Sequence, residues 1–136
     1  DRSDDMPSEP EMKAALQKYI DAFVASDADA LAALFADDAT VEDPVGSETL
    51  RGKEAIAAFY RKAVRVVTHM ALSAPIRGSH GNAAAMAFDF EMNLRGRKVR
   101  TSAIDVMEFD DDGKIKAMRA YWGPSDSKTL GPEKEE

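Results

Sequence analysis

Three side chains able to donate or take a proton fall at positions where the surrounding pattern calls for apolar residues: Tyr19, Asp43 and Asp105. Asp43 lies in the stretch Ala36-Asp37-Asp38-Ala39-Thr40-Val41-Glu42-Asp43-Pro44-Val45-Gly46. Thr40 to Val45 reads as a short strand, β-branched and closed by Pro44 and Gly46. Residues two apart share a strand face, so Asp43 points with Val41 and Val45 while Glu42 points with Thr40. A carboxylate on an apolar face is costly unless it is paired, hydrogen-bonded or neutralised. The plainer reading is a turn-forming or capping Asp beside Pro44. The sharper one is a general base at the mouth of an apolar pocket.

The other two residues favour the sharper reading. Tyr19 sits mid-stripe on an amphipathic helix, where a buried hydroxyl needs a partner. Asp105 is the one ionisable residue among Val99, Thr101, Ala103, Asp105, Met107 and Phe109, the odd positions of a long strand. Taken singly, each is more simply a core residue. Two acids and a tyrosine together point to a site, because polar groups on apolar faces are expensive without a purpose. Met86, Phe88, Met118 and Trp122 could supply the apolar surface for a flat, greasy ligand.

These residues need elements to hold them. Ser8-Glu9-Pro10-Glu11 carries a capping box, and Met12, Leu16, Tyr19, Ile20, Phe23 and Val24 follow at helical spacing. Ser26-Asp27 can cap a second helix through Leu31, Leu34 and Phe35, ending at Asp37-Asp38. A third runs from about Lys53 to Arg65, with Ile56, Phe59, Tyr60, Ala63 and Val64 on one face. The period then drops to two. Strands are expected at Thr68 to Ile76, at the alternation from Ala84 to Leu94, at Lys98 to Phe109 and at Lys114 to Trp122. Arg95-Gly96 and Asp111-Asp112-Gly113 supply hairpin turns. Helices followed by a meander predict an α+β domain, its helices packed on one face of a curved, mostly antiparallel sheet. The expected division is an extension at residues 1–8, one domain at 9–124 and a polar tail at 125–136.

Bulk composition narrows the function. The 136 residues, 44% hydrophobic and 32% charged, suit one soluble domain with a real core. A net charge of −7 argues against nucleic acid or an anionic membrane as partner. The chain has no Cys and two His, which leaves no thiolate nucleophile and argues against a multi-histidine metal cluster. His69 and His80 are expected to face solvent. No apolar run reaches membrane-spanning length and the acidic start lacks a signal pattern, so a cytoplasmic location is expected.

Four blocks carry a resemblance. The stretch Ala36 to Gly46, Gly52-Lys53-Glu54-Ala55-Ile56-Ala57-Ala58-Phe59-Tyr60-Arg61, Ile104-Asp105-Val106-Met107-Glu108-Phe109 and Met118-Arg119-Ala120-Tyr121-Trp122 closely resemble the bacterial Δ5-3-ketosteroid isomerases, in the family's order and approximate spacing. The Val41-Glu42-Asp43-Pro44 motif alone recurs in relatives that are not isomerases. The resemblance implies the curved-sheet cone of the nuclear transport factor superfamily, with three helices from the N-terminal half packed on it, and a homodimer. It implies that Asp43 moves a proton from C4 to C6 of a 3-oxo-Δ5-steroid, and that Tyr19 and Asp105 donate to the C3 oxygen. It implies that Tyr60 hydrogen-bonds Tyr19, and that Phe59, Met86, Phe88, Met118 and Trp122 line the substrate pocket. No metal or organic cofactor is implied. Phe35 departs from the pattern, standing where some close relatives carry another tyrosine of the network. Two further readings compete: a non-catalytic binding module for a hydrophobic small molecule, and another enzyme of this fold, such as a polyketide cyclase or dehydratase. Fold alone does not separate them. The Tyr19, Asp43 and Asp105 constellation favours the isomerase. The small residues Ala83, Ala85 and Ala87 on the other sheet face suit a dimer interface.

Overall fold

The computed structural model describes residues 6–132. Residues 1–5, most of the expected extension, lie outside the described residues. Helix α1 spans Glu9–Val24 and opens with the expected capping box: Ser8 Oγ accepts from the Glu11 backbone N–H at 3.2 Å, and Glu11 Oε1 accepts from the Ser8 N–H at 2.7 Å. Met12, Leu16, Tyr19, Ile20 and Phe23 form its buried stripe, but Val24 at the helix end is 65% exposed. Asp27 alone caps α2, accepting from the Ala30 N–H at 3.0 Å.

Helix α2, Ala28–Ala32, is one turn shorter than the sequence suggests. Phe35 to Asp38 already belong to strand β1, Phe35–Glu42. The reason is pairing: β1 runs parallel to β6, Ile115–Tyr121, with a register shift between Phe35 and Thr40, and its odd residues Phe35, Ala39 and Val41 face the core. The two-residue strand β2, Leu50–Arg51, pairs with β1 and leads into α3, Lys53–Val66. Strand β3 is shorter than expected, Val67–Leu72, and lies at the edge of the sheet.

The longest strands are β4, Ala83–Leu94, and β5, Arg97–Phe109. They pair antiparallel across a two-residue turn at Arg95-Gly96, both with positive φ. On β5 the odd residues from Thr101 to Phe109 are all buried, as the parity predicts. Among the described residues six strands run in the order β2-β1-β6-β5-β4-β3 and a seventh pairs with β5 off that path, in a sheet curled but not closed, with the helices on its inner face.

Beyond the 3₁₀ turn Pro124–Asp126, the expected tail contains a seventh strand, β7, Ser127–Pro132. Strand β6 covers the β5 edge only from Ile104 to Phe109, and β7 takes the remaining length, pairing with Arg97 to Thr101. Buried Thr101 Oγ1 and Ser127 Oγ meet at 2.8 Å. The segment pairs through its backbone while Lys128, Thr129 and Leu130 stay exposed.

Candidate active site

Asp43 follows directly on β1 and keeps the parity of Val41, so its side chain enters the fold. The chain then turns at Pro44, and Val45, expected on the same buried face, is 40% exposed. The turn is pinned from both sides. Gly46 N–H donates to Glu42 Oε2 at 2.8 Å, and Val45 N–H donates to the Ala120 carbonyl at 2.8 Å. Ala120 is the register partner of Asp105 on the neighbouring strand. The backbone ladder therefore fixes the loop that carries Asp43 relative to the strand that carries Asp105.

Both acids and Tyr19 line one cavity of about 330 Å³. Phe59, Phe88 and Trp122 line it with them, six of the nine residues singled out from the sequence. Apart from Lys62, the remaining wall is apolar: Phe23, Ala63, Val66, Val67, Met70, Phe90, Met92 and Ala103. Tyr60, Met86 and Met118 do not line it. Tyr60 is wholly buried behind Tyr19, and the two hydroxyls meet at 2.9 Å. Met86 and Met118 are buried where the sheet packs in the core, opposite Asp105 and Val41 respectively. The cavity sits instead over the far half of β4, so Phe88, Phe90 and Met92 reach it and Met86 does not.

The residues missed from the sequence mostly continue patterns that were legible. Phe23 is one turn beyond Tyr19, Ala63 and Val66 follow Phe59 at helical spacing, and Ala103 shares the parity of Asp105. Lys62, which also lines the cavity, gave no signal.

The three polar groups differ in their surroundings. Trp122 Nε1–H donates to Asp43 Oδ1 at 3.2 Å. Burial pushes the Asp43 carboxyl above the ordinary range, and the indole bond pulls partly back. Asp105 is 1% exposed, and neither of its oxygens has a hydrogen-bond partner. Its pKa stands well above the usual value, first from burial and then from the negative charge of Asp43. An acid so placed favours its neutral form and can donate an O–H to a ligand oxygen. Burial likewise holds the Tyr19 and Tyr60 hydroxyls protonated, well above a free phenol. Tyr60 can donate to Tyr19, which leaves the Tyr19 proton for the cavity.

Around these groups the rings interlock: Tyr60 contacts Phe59 at 5.0 Å, Phe35 at 5.6 Å and Tyr19 at 5.7 Å between centroids. Phe35 packs its ring against Tyr60 and extends no hydroxyl into the network. His69 and His80 are exposed, as expected, and lie outside the cavity. No described helix is long and apolar enough to cross a membrane.

Residues 16–118 match the model of the SnoaL-like domain. The chain is 41% identical over 116 residues to a steroid Δ-isomerase of Nocardioides simplex, covering 85% of this chain and 93% of that protein. It is 31% identical over 126 residues to the epoxide hydrolase LasB of Streptomyces lasalocidi, covering 90% of this chain but 45% of that longer protein. Among solved structures it superposes with a TM-score of 0.81, at 29% identity, on the epoxide hydrolase/cyclase-like enzyme SalBIII, described in pyran ring formation in the polyether salinomycin. That match covers 92% of this chain and 98% of SalBIII. Motif order, fold and identity agree, and the chain belongs to the SnoaL-like, ketosteroid isomerase-like family.

Proposed function

We propose that this protein is a cofactor-independent steroid Δ-isomerase that converts 3-oxo-Δ5-steroids to conjugated 3-oxo-Δ4-steroids. The observation that carries the reading is the pairing, within one apolar cavity, of a hydrogen-bonded carboxyl group, Asp43, with a fully buried acid that has no hydrogen-bond partner, Asp105, beside Tyr19. The 41% identity to a steroid Δ-isomerase supports it.

Each residue then has a step. Asp43 takes a proton from C4 as the C4–H electrons move into the ring and charge reaches the C3 oxygen. Tyr19 and Asp105 donate hydrogen bonds to that oxygen, each worth on the order of 3 kcal/mol in the transition state. Asp43 returns the same proton to C6, the double bond settles between C4 and C5, and the enzyme is unchanged. General base action contributes roughly a hundred- to ten-thousandfold. Nothing in this sequence of steps calls for a metal or cofactor. The outer sheet face, where Ala85, Ala87, Ile104 and Tyr121 stand, is the proposed surface for a homodimer, and a cytoplasmic location goes with the reading.

The test is the ultraviolet absorbance of the conjugated enone on adding protein to 5-androstene-3,17-dione, with Asp43→Asn as control. Rapid enone formation, slowed at least about a hundredfold in the variant, is expected. Enone formation unaffected by the variant would remove Asp43 as base.

A second reading is favoured by the relatives named for epoxide chemistry. The same pair could open an epoxide, Asp105 giving its proton to the ring oxygen while Asp43 takes one from the attacking hydroxyl. A hydroxy-epoxide cyclised by the protein that leaves 5-androstene-3,17-dione untouched would establish that reading in place of the first.

A further inference from the structure

Lys62 is the one cationic residue among those lining the cavity. It lies on α3 between Phe59 and Val66, which with Ala63 form the cavity-facing side of that helix. Tyr19 and Asp105 are almost wholly buried, whereas Lys62 is exposed, so Lys62 stands on the solvent side of the cavity from those two groups. Its neighbours Arg61 and Arg65 make a short basic strip on a chain with net charge −7. Among the described residues none of these three side chains forms a salt bridge or hydrogen bond, unlike Lys13, Lys53, Arg100 and Arg119.

A cation free of any partner, at the rim of a cavity otherwise apolar away from its inner acids, is placed to meet an anion on the ligand. A ligand whose ketone sits at Tyr19 and Asp105 presents its far end to this rim. We infer that the physiological ligand is an acidic steroid: the 3-oxo end lies at Tyr19 and Asp105, and a carboxylate on the opposite ring or its side chain pairs with Lys62. This rests on the proposed isomerase orientation and adds the charge class of the substrate to it. The flat apolar body supplies most of the affinity, and an ion pair at the exposed Lys62 supplies selectivity between acidic and neutral forms.

The experiment compares 3-oxo-androst-5-ene-17β-carboxylate with its methyl ester, which keeps the shape and removes the charge. Two readouts are taken for the parent, Lys62→Met and Lys62→Glu: kcat/KM from enone absorbance, and affinity from quenching of Trp122, the chain's one tryptophan, which lines the cavity. The parent is expected to prefer the acid over the ester by about two- to fivefold. The preference should shrink as salt rises, vanish in Lys62→Met and reverse in Lys62→Glu. An acid-to-ester ratio equal in all three proteins would overturn the inference even if every one of them forms the enone. A ratio that follows residue 62 in binding, with no enone formed, would uphold it while removing the isomerase reading. Failure of both ligands to bind would overturn both.

Discussion

The Trp122 indole donates to Asp43 Oδ1 at 3.2 Å, and Oδ2 takes no hydrogen bond from any described residue. One oxygen is thereby held and the other left for proton transfer. Burial raises the Asp43 pKa and the indole lowers it, so the acid limb of a kcat/KM profile should lie above the ordinary carboxylate range. Trp122→Phe removes the lowering contact and should move that limb to higher pH. A limb that stays in place, with only the plateau reduced, would mean that Trp122 serves the ligand rather than the base.

Tyr19 and Tyr60 should separate cleanly by kinetics. Tyr19→Phe removes a donor needed most in the transition state, so kcat should fall about a hundredfold or more while KM changes little. Tyr60→Phe keeps that donor and removes only the group behind it, so the loss should be much smaller. It also leaves the buried Tyr19 hydroxyl without its partner, at a stability cost of about 1–3 kcal/mol. Steady-state kinetics and urea unfolding of both variants decide this. Equal losses of kcat would mean that Tyr60 also reaches the ligand.

What could be read from the sequence depended on whether the signal was local. The capping box at Ser8 and Glu11, the stripe carrying Tyr19 and the parity carrying Asp105 are local patterns, and each matches the structure. The parity of Val41 places Asp43 on the right face, but the strand before it runs from Phe35 to Glu42, paired with a parallel partner, β6. Nothing near Phe35 announces a partner 80 residues away. Pocket lining failed in the same way. Met86 and Phe88 share a face, and only the placement of the helices decides that Phe88 reaches the cavity.

The C-terminal strand shows the same limit and is open to test. Its residues are polar, yet Ser127 Oγ meets Thr101 Oγ1, which is 1% exposed. Ser127→Ala should therefore cost about 1–3 kcal/mol by leaving that hydroxyl unpaired. Ser127→Ala combined with Thr101→Val should cost less than the single change, since both polar groups are then gone. Denaturant midpoints for the single and double variants supply the comparison. A double variant at least as unstable as the single one would show that an unpaired Thr101 hydroxyl is not what the single change costs.

Asp105 links catalysis to folding. In the unfolded chain it ionises near pH 4, whereas in the folded protein its pKa is well above that value. A raised folded pKa contributes stability that is full below the unfolded pKa and is lost as pH rises toward the folded one. Asp105→Asn cannot ionise, so relative to the parent it should gain stability from about pH 4 upward. Asp43 titrates in both proteins and largely cancels in the difference. The amide retains a donor, so Asp105→Asn should lose less kcat than Asp105→Leu, which should fall about a hundredfold or more. The alkaline limb set by Asp105 in the parent should disappear with the amide. Urea midpoints at pH 4.5 and pH 8, taken with rate profiles, test both halves of the argument. A stability difference constant with pH would mean that Asp105 is ionised in the folded state and cannot be the donor.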